Sequence, residues 1–403
     1  MAPDSVTARL LPWFLAAYFL TLCLAPSMLD GAKAALVLWT LHALWTRALH
    51  PRIFLDPACL AVAGFCAVAL AASVHGPSTP QEALSILGWL PTLILGIVFA
   101  RTYPERLQAA LLLGAGFLAV YMALILGLAL AGISALGTMT FSPADLTLTF
   151  RDLTRTSLYL ALGALFCLHA LLTITAPRLR LLALTALPVL LCALVLSGKR
   201  MTLAAFMITT ALLLLWKKKY LAMGLGLTLI TALILGSGLS SRFDPRPSQL
   251  MDSQGVAERM AVWHAAREIF REHPFLGAGF KTFKQQAEPL VLQWRENAHQ
   301  QPNPDHVPER LEDAHHIVLH VLAESGVMGL VCIAVLFGTP LATAWRTRQT
   351  RPEATGLAAA VVLVLLHLQL HMHLYATNVH GLVFLLLGFA QGLRVSPRET
   401  LCA

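Results

Sequence analysis

From Ile317 to Trp345 the only ionised side chain is Glu324, and the rest of that stretch is mostly apolar or small. A helix needs about 20 such residues to cross a bilayer, because hydrocarbon offers no partner to a polar group. The pattern recurs along the chain. Twelve segments qualify as candidate spans: 10–29, 31–46, 53–74, 83–100, 107–132, 156–176, 181–197, 201–216, 220–240, 317–345, 354–375 and 378–394. The second and eighth are short for a crossing. Of the 403 residues, 57% are hydrophobic and 12% charged. Soluble domains carry about 25% charged residues. A soluble fold is therefore excluded, and an all-α polytopic membrane protein of about twelve transmembrane helices is expected.

The connections set the expected orientation. Alternate ones are short and basic: Arg47 and Arg52; Arg101 and Arg106; Arg178 and Arg180; Lys217, Lys218 and Lys219; Arg346, Arg348 and Arg351; then Arg394 and Arg398. Positive charge on short loops marks the cytoplasmic side, so both termini are expected inside. The first run has no small-residue cleavage site behind it and is expected to stay as a span. The net charge of +8 is spread over these connections, so membrane lipids are the expected surface partner and nucleic acid is not. The seven cysteines show no CxxC spacing. Neither a disulfide framework nor a zinc site is indicated.

Two outward connections are long, 133–155 and 241–316. Loops beyond about 12–15 residues are usually functional or disordered. The second has helical pattern in "ERMAVWHAAREIFREH", where Met260, Trp263, Ala266, Ile269 and Phe270 recur at helical spacing. A Pro/Gly turn follows at 273–283. Three parts are thus expected: helices over 1–240, an outer, partly helical cap over 241–316, and helices with a tail over 317–403. A solvated lid without chemistry is the alternative reading of the cap.

Several polar residues gather at the outer boundary. His315 and His316 stand where the cap enters the tenth span, and histidine exchanges protons near neutral pH. Position alone leaves a helix cap or an interface residue as the alternative. Lys199 and Arg200 occupy the tight "SGKR" turn between the seventh and eighth spans, and Arg259 opens the cap helix. Guanidinium groups fork onto phosphate oxygens, although any one of them serves equally as an interfacial anchor. Arg151 and Arg155 precede the sixth span on the same side. On a helix, His315 and Leu319 would share a face, and Glu324 would be too far along to reach His315, leaving it to packing or a local hydrogen bond. His367 and His371 have i, i+4 spacing, but with no carboxylate or cysteine nearby they read as packing residues. Walker, GxSxG and DxD patterns are absent.

Read in order, these stretches resemble the O-antigen ligase superfamily, which also includes O-antigen polymerases and bacterial O-linked oligosaccharyltransferases. The resemblance rests on "SGKR", on "RMAVWHAAREI", on the Pro-x-x-Gly-x-Gly-x-x-x-Phe of "PFLGAGFKTF", and on His-x10-Gly in "HHIVLHVLAESG". The residue after the histidine, commonly Asn or Ser in the superfamily, is His316 here. The x10 spacing selects His315.

The resemblance implies a glycosyltransferase of GT-C-like architecture in the inner membrane of a Gram-negative bacterium. It would move glycan from undecaprenyl pyrophosphate to a hydroxyl of lipid A–core, on the periplasmic side, as a monomer. His315 would serve as base, with Arg200 and Arg259 on the pyrophosphate; Lys199, His316, Lys281 and Arg155 are the secondary candidates for substrate contact. Direct attack would invert the anomeric carbon, and neither metal nor cofactor is expected. A lipid-linked oligosaccharide transporter is the reading from a different class. It would place polar groups near the bilayer midplane on broken helices.

Overall fold

In the computed structural model the described residues are 10–18, 29–47, 49–130, 135–136, 139–140, 153–219, 254–297, 313–369, 374–375 and 377–394. The ninth candidate span, 220–240, Arg151, His371 and His373 lie outside them. The described helices are α1 (10–18), α2 (Leu29–Trp45), α3 (Pro57–Ser73), α4 (Pro80–Thr102), α5 (Pro104–Leu130), α6 (Leu153–Thr173), α7 (Pro177–Leu196), α8 (Arg200–Trp216), α9 (Gln254–Glu272), α10 (Phe283–Asn297), α11 (Ile317–Thr347), α12 (Pro352–Leu368) and α13 (Thr377–Gly392). Among the described residues the only extended pairing is a two-residue antiparallel ladder, Ala135–Leu136 with Met139–Thr140.

Five helices are long and apolar enough to cross a membrane: α4, α5, α6, α7 and α11. Four shorter apolar helices accompany them, so the described residues do not reach the twelve spans expected. Large apolar side chains face outward on the long helices. Leu113, Val120 and Leu124 of α5 and Leu181 and Leu184 of α7 are all more than half exposed. A water-facing surface would not tolerate that much contiguous hydrocarbon, and lipid does.

One end of the bundle is tied by a buried carboxylate. Asp56 caps α3 by accepting from Ala58 N at 3.2 Å. Its Oδ2 accepts from Arg101 Nη2 at 3.0 Å, and its Oδ1 accepts from Gln391 Nε2 of α13 at 2.8 Å. Close beside it α4 and α13 meet backbone to backbone. A Cβ on Gly96 would lie 2.5 Å from Leu385 O, and one on Gly388 would lie 2.3 Å from Leu93 O. Small residues permit this approach, which is a common way of joining helices in lipid.

At the other end, α11 is broken. Gly326 has φ 60 and ψ −163, values available essentially to glycine. An unbroken helix would pair Val327 N–H with Ala323 C=O and Met328 N–H with Glu324 C=O. The segment 274–279 instead inserts between these groups. Val327 N donates to Pro274 O at 2.9 Å and Met328 N to Phe275 O at 3.2 Å, while Ala278 N donates to Ala323 O at 2.9 Å and Gly279 N to Glu324 O at 3.0 Å. Gly277 is needed at the same seam, with φ +71 and a would-be Cβ 2.2 Å from Glu324 C. The Pro-x-x-Gly-x-Gly and His-x10-Gly patterns are thus two halves of one backbone joint.

The joint seats α9 and α10 over the head of α11. Their shared core holds Ala261, Val262, Ala265, Ala266, Ile269, Phe283, Ala287, Val291 and Ala314, with Leu319 against it. This corrects the expected face of α9 in part: Ala266 and Ile269 are buried, but Met260 is 53% exposed and Trp263 38%. Helical spacing does not distinguish large from small apolar residues, and the close seat on the joint admits only the alanine-rich side.

Candidate functional site

His315 does not lie on a helix, which corrects the expectation that it shares a helical face with Leu319. Its φ is +49, a left-handed value uncommon for a side-chain-bearing residue. The α-helix starts at Ile317, and His316 is its N-cap, with Nδ1 accepting from Leu319 N at 3.4 Å. The cap alternative therefore holds for His316. Burial, only partly offset, holds its pKa below the ordinary imidazole value, and the capping geometry likewise uses the neutral ring.

What keeps His315 in a strained conformation is its neighbour. Both backbone groups of Ala314 are tied: its carbonyl accepts from Trp263 Nε1 at 3.0 Å, and its N–H donates to His320 Nδ1 at 3.3 Å. His320 is itself fixed. Its Nε2 lies 3.4 Å from Glu324 Oε2, and Glu324 Oε1 accepts from Phe283 N at 3.1 Å. An Nδ1 that accepts and an Nε2 facing a carboxylate define the tautomer as Nε2–H. Tyr375, its hydroxyl buried beside Glu324, lies over His320 with ring centroids 5.3 Å apart. Strain held by over-determined surroundings is a mark of functional positions.

Asp313 precedes this unit. Its Oδ1 accepts from His315 N at 2.7 Å and lies 3.1 Å from His315 Nδ1. The His315 side chain is 38% exposed and that of Asp313 16%, so the imidazole opens to the outside while the carboxylate sits behind it. Sequence reasoning missed Asp313. The available signal was the acid two residues before the histidine, a spacing at which an Asp side chain can close a turn on the following backbone.

The basic residues are distributed as follows. Arg259 is half-buried on α9, one turn before Trp263 and on the same face, so the helix that touches Ala314 also carries this guanidinium. Lys199 is half-buried and Arg200 exposed at the start of α8, after a turn in which Gly198 adopts φ 63. Thr202, in the first turn of α8, shares a 2.8 Å hydrogen bond with Ser157 of α6 and a 3.2 Å one with His367 of α12. Arg155, half-buried, stands in the same first turn of α6 as Ser157. His367 closes α12 and Tyr375 precedes α13, and the one meets α8 while the other meets α11. Arg155, Lys199, Arg200 and His315 therefore stand at the same end of the bundle. Lys281, at φ 61 in the loop before α10, is exposed with Nζ 5.6 Å from the centre of the buried Phe280 ring. Among the described residues no three His, Cys, Asp or Glu side chains converge as metal ligands.

Among the described residues, fold and site define a class: a helical membrane protein with an imidazole and several cationic side chains gathered at one end, under docked cap helices. Residues 185–334 match the family described as O-antigen ligase. The matched stretch runs from within α7 to within α11. It contains Lys199, Arg200, Arg259, Lys281, Asp313, His315, His316 and the joint at Gly326. No curated protein matches the chain.

Proposed function

We propose that the protein is a ligase-type glycosyltransferase of the inner membrane. It transfers O-antigen glycan from undecaprenyl pyrophosphate to a hydroxyl of lipid A–core, on the periplasmic side. The termini are cytoplasmic, and α9 and α10 belong to the periplasmic cap. The observation that carries this reading is the histidine pinned in a strained backbone at the head of α11, at one end of the bundle with Arg200, under the cap helix that bears Arg259. A periplasmic transferase has no nucleotide sugar, so the donor must bring its own leaving group. Charge developing on departing pyrophosphate is an electrostatic task for fixed cations. Arg200 and Arg259 take it, with Lys199, Lys281 and Arg155 around them. His315 accepts the proton of the acceptor hydroxyl, which in general contributes about 10²–10⁴-fold. The hydroxyl oxygen attacks the anomeric carbon directly, the bond to pyrophosphate breaks, and configuration inverts. The chemistry is metal-independent.

The broken helix of α11 bears on the transporter reading. In transporters the backbone groups freed at a break hold the cargo or its coupling ion. Here the segment 274–279 takes up those groups at both sides of Gly326, which favours a fixed scaffold over a passage. O-antigen polymerase and protein O-oligosaccharyltransferase differ from ligase in acceptor alone. Purified protein and a lipid-linked glycan, offered lipid A–core, a second lipid-linked glycan and an acceptor protein in parallel, separate the three. Product on lipid A–core is expected, and product solely on either other acceptor overturns the ligase assignment.

A further inference from the structure

We propose that Asp313 is the positioning residue of His315, fixing which of its two ring nitrogens is basic. This rests on the reading of His315 as the base. A carboxylate oxygen 3.1 Å from Nδ1 is best satisfied when Nδ1 carries the proton, since an unprotonated Nδ1 would set two lone pairs against each other. Nε2 is then the nitrogen free to take a proton. In the transfer step the acceptor O–H proton passes to Nε2, its oxygen forms the new bond to the anomeric carbon, and polyprenyl pyrophosphate leaves with the electron pair of the broken bond. The imidazolium so formed is stabilised by the carboxylate behind it, as in other base–carboxylate pairs. The same Oδ1 also accepts from His315 N at 2.7 Å. One atom thus sets both the turn that projects the ring and the ring's tautomer. Two other titratable groups meet this loop: His316, whose Nδ1 caps α11 through Leu319 N, and His320, which contacts Ala314 N and has Glu324 as its own partner. Among the described residues the charge beside the His315 ring is that of Asp313, which makes it the orienting group.

The test is Asp313→Asn, which keeps an oxygen for His315 N–H but removes the charge. Replacing the orienting carboxylate by amide in a serine-protease triad lowers kcat about 10⁴-fold through the wrong tautomer. The step here has the same logic with a more exposed pair, and a fall of about 10²-fold or more is expected. KM for donor and for acceptor should stay near wild type. Nitrogen-15 spectra of histidine-labelled protein, assigned against His315→Ala, should show His315 losing its Nδ1–H form. Asp313→Glu, which retains the charge on a longer arm, should recover about tenfold or more over Asn. Three results overturn the proposal: an Asn variant with wild-type kcat and tautomer, a Glu variant no better than Asn, or an Asn variant that loses donor binding together with activity. The reading of His315 as base is scored separately. A His315→Ala protein that still transfers ends that reading, whereas a dead His315→Ala beside a fully active Asp313→Asn ends only the role of Asp313.

Discussion

Gly326→Ala tests the joint between cap and bundle. A Cβ at this position would lie 2.3 Å from Phe275 C and O and 2.7 Å from Leu276 N, backbone atoms that cannot swing aside. The chain then has two routes. It can keep the break, holding alanine in a conformation that costs about 1–3 kcal/mol before the clash is relieved. Or it can heal the helix, which regains two backbone bonds and loses the four made by 274–279. At about 0.5–1.5 kcal/mol per bond, that is a net loss of about 1–3 kcal/mol. Either route raises the undocked population of the segment by about 5–150-fold. Hydrogen–deuterium exchange in detergent reads this directly on peptides covering Pro274–Gly279. Exchange there should accelerate by that factor, and transfer should fall as Trp263 loses its hold on Ala314. Gly338→Ala is the control: it lies in the same helix with nothing within 4 Å of the added carbon, and it should leave exchange at 274–279 unchanged. Wild-type exchange in Gly326→Ala would refute the reasoning.

Arg200→Ala and Arg259→Ala should each nearly abolish transfer, and lysine at either position should restore little, because an ammonium lacks the fork that grips two phosphate oxygens; full activity in both lysine variants would reduce these residues to general charge. Transfer should persist in excess chelator, and a loss reversed by added magnesium or manganese would contradict the metal-independent scheme. His316 links cap stability to pH. Its pKa is lowered in the folded state, so its contribution is present above the ordinary imidazole value of about 6.5 and is lost as pH falls below it, through the lowered folded value. Thermal unfolding should therefore show a loss of stability below that pH that His316→Asn, a cap that does not titrate, diminishes; an identical pH profile in the variant would dissociate the cap from it.

Much of the helical plan was legible because charge has so few places to go in this chain. Among the described residues the basic clusters fall at or between helix ends, and the amphipathic stretch is a helix as far as Glu272. The face of α9 was not legible. Periodicity ranks residues by hydropathy, while the seat on the 274–279 joint selects by size, so alanines turn in and Met260 turns out. The polar-to-apolar seam marks His315, but the helical backbone it implies there is replaced by a left-handed one. A helix read from apolar period alone begins at its first polar neighbour, whereas His316 caps α11 and leaves His315 outside it. Glu324 is expected to serve packing or a local hydrogen bond; its Oε2 lies 3.4 Å from His320 Nε2, but the hydrogen bond it accepts, from Phe283 N, joins residues 41 positions apart, a pairing no local pattern announces.

The carboxylate at Asp56 has a consequence for the order in which the protein is assembled. Its amide partner Gln391 lies 335 residues later in the chain. At about 5–20 residues per second of synthesis, α3 waits roughly 15–70 s before that partner has been made. Arg101, 45 residues downstream, arrives early and keeps the charge compensated meanwhile. The glycine surface of α4 waits for the same helix, since Gly388 and Gly392 are what it receives. The first helices therefore hold an open slot during insertion, and α13 enters it as a keystone, closing the polar knot and the glycine seam in one event.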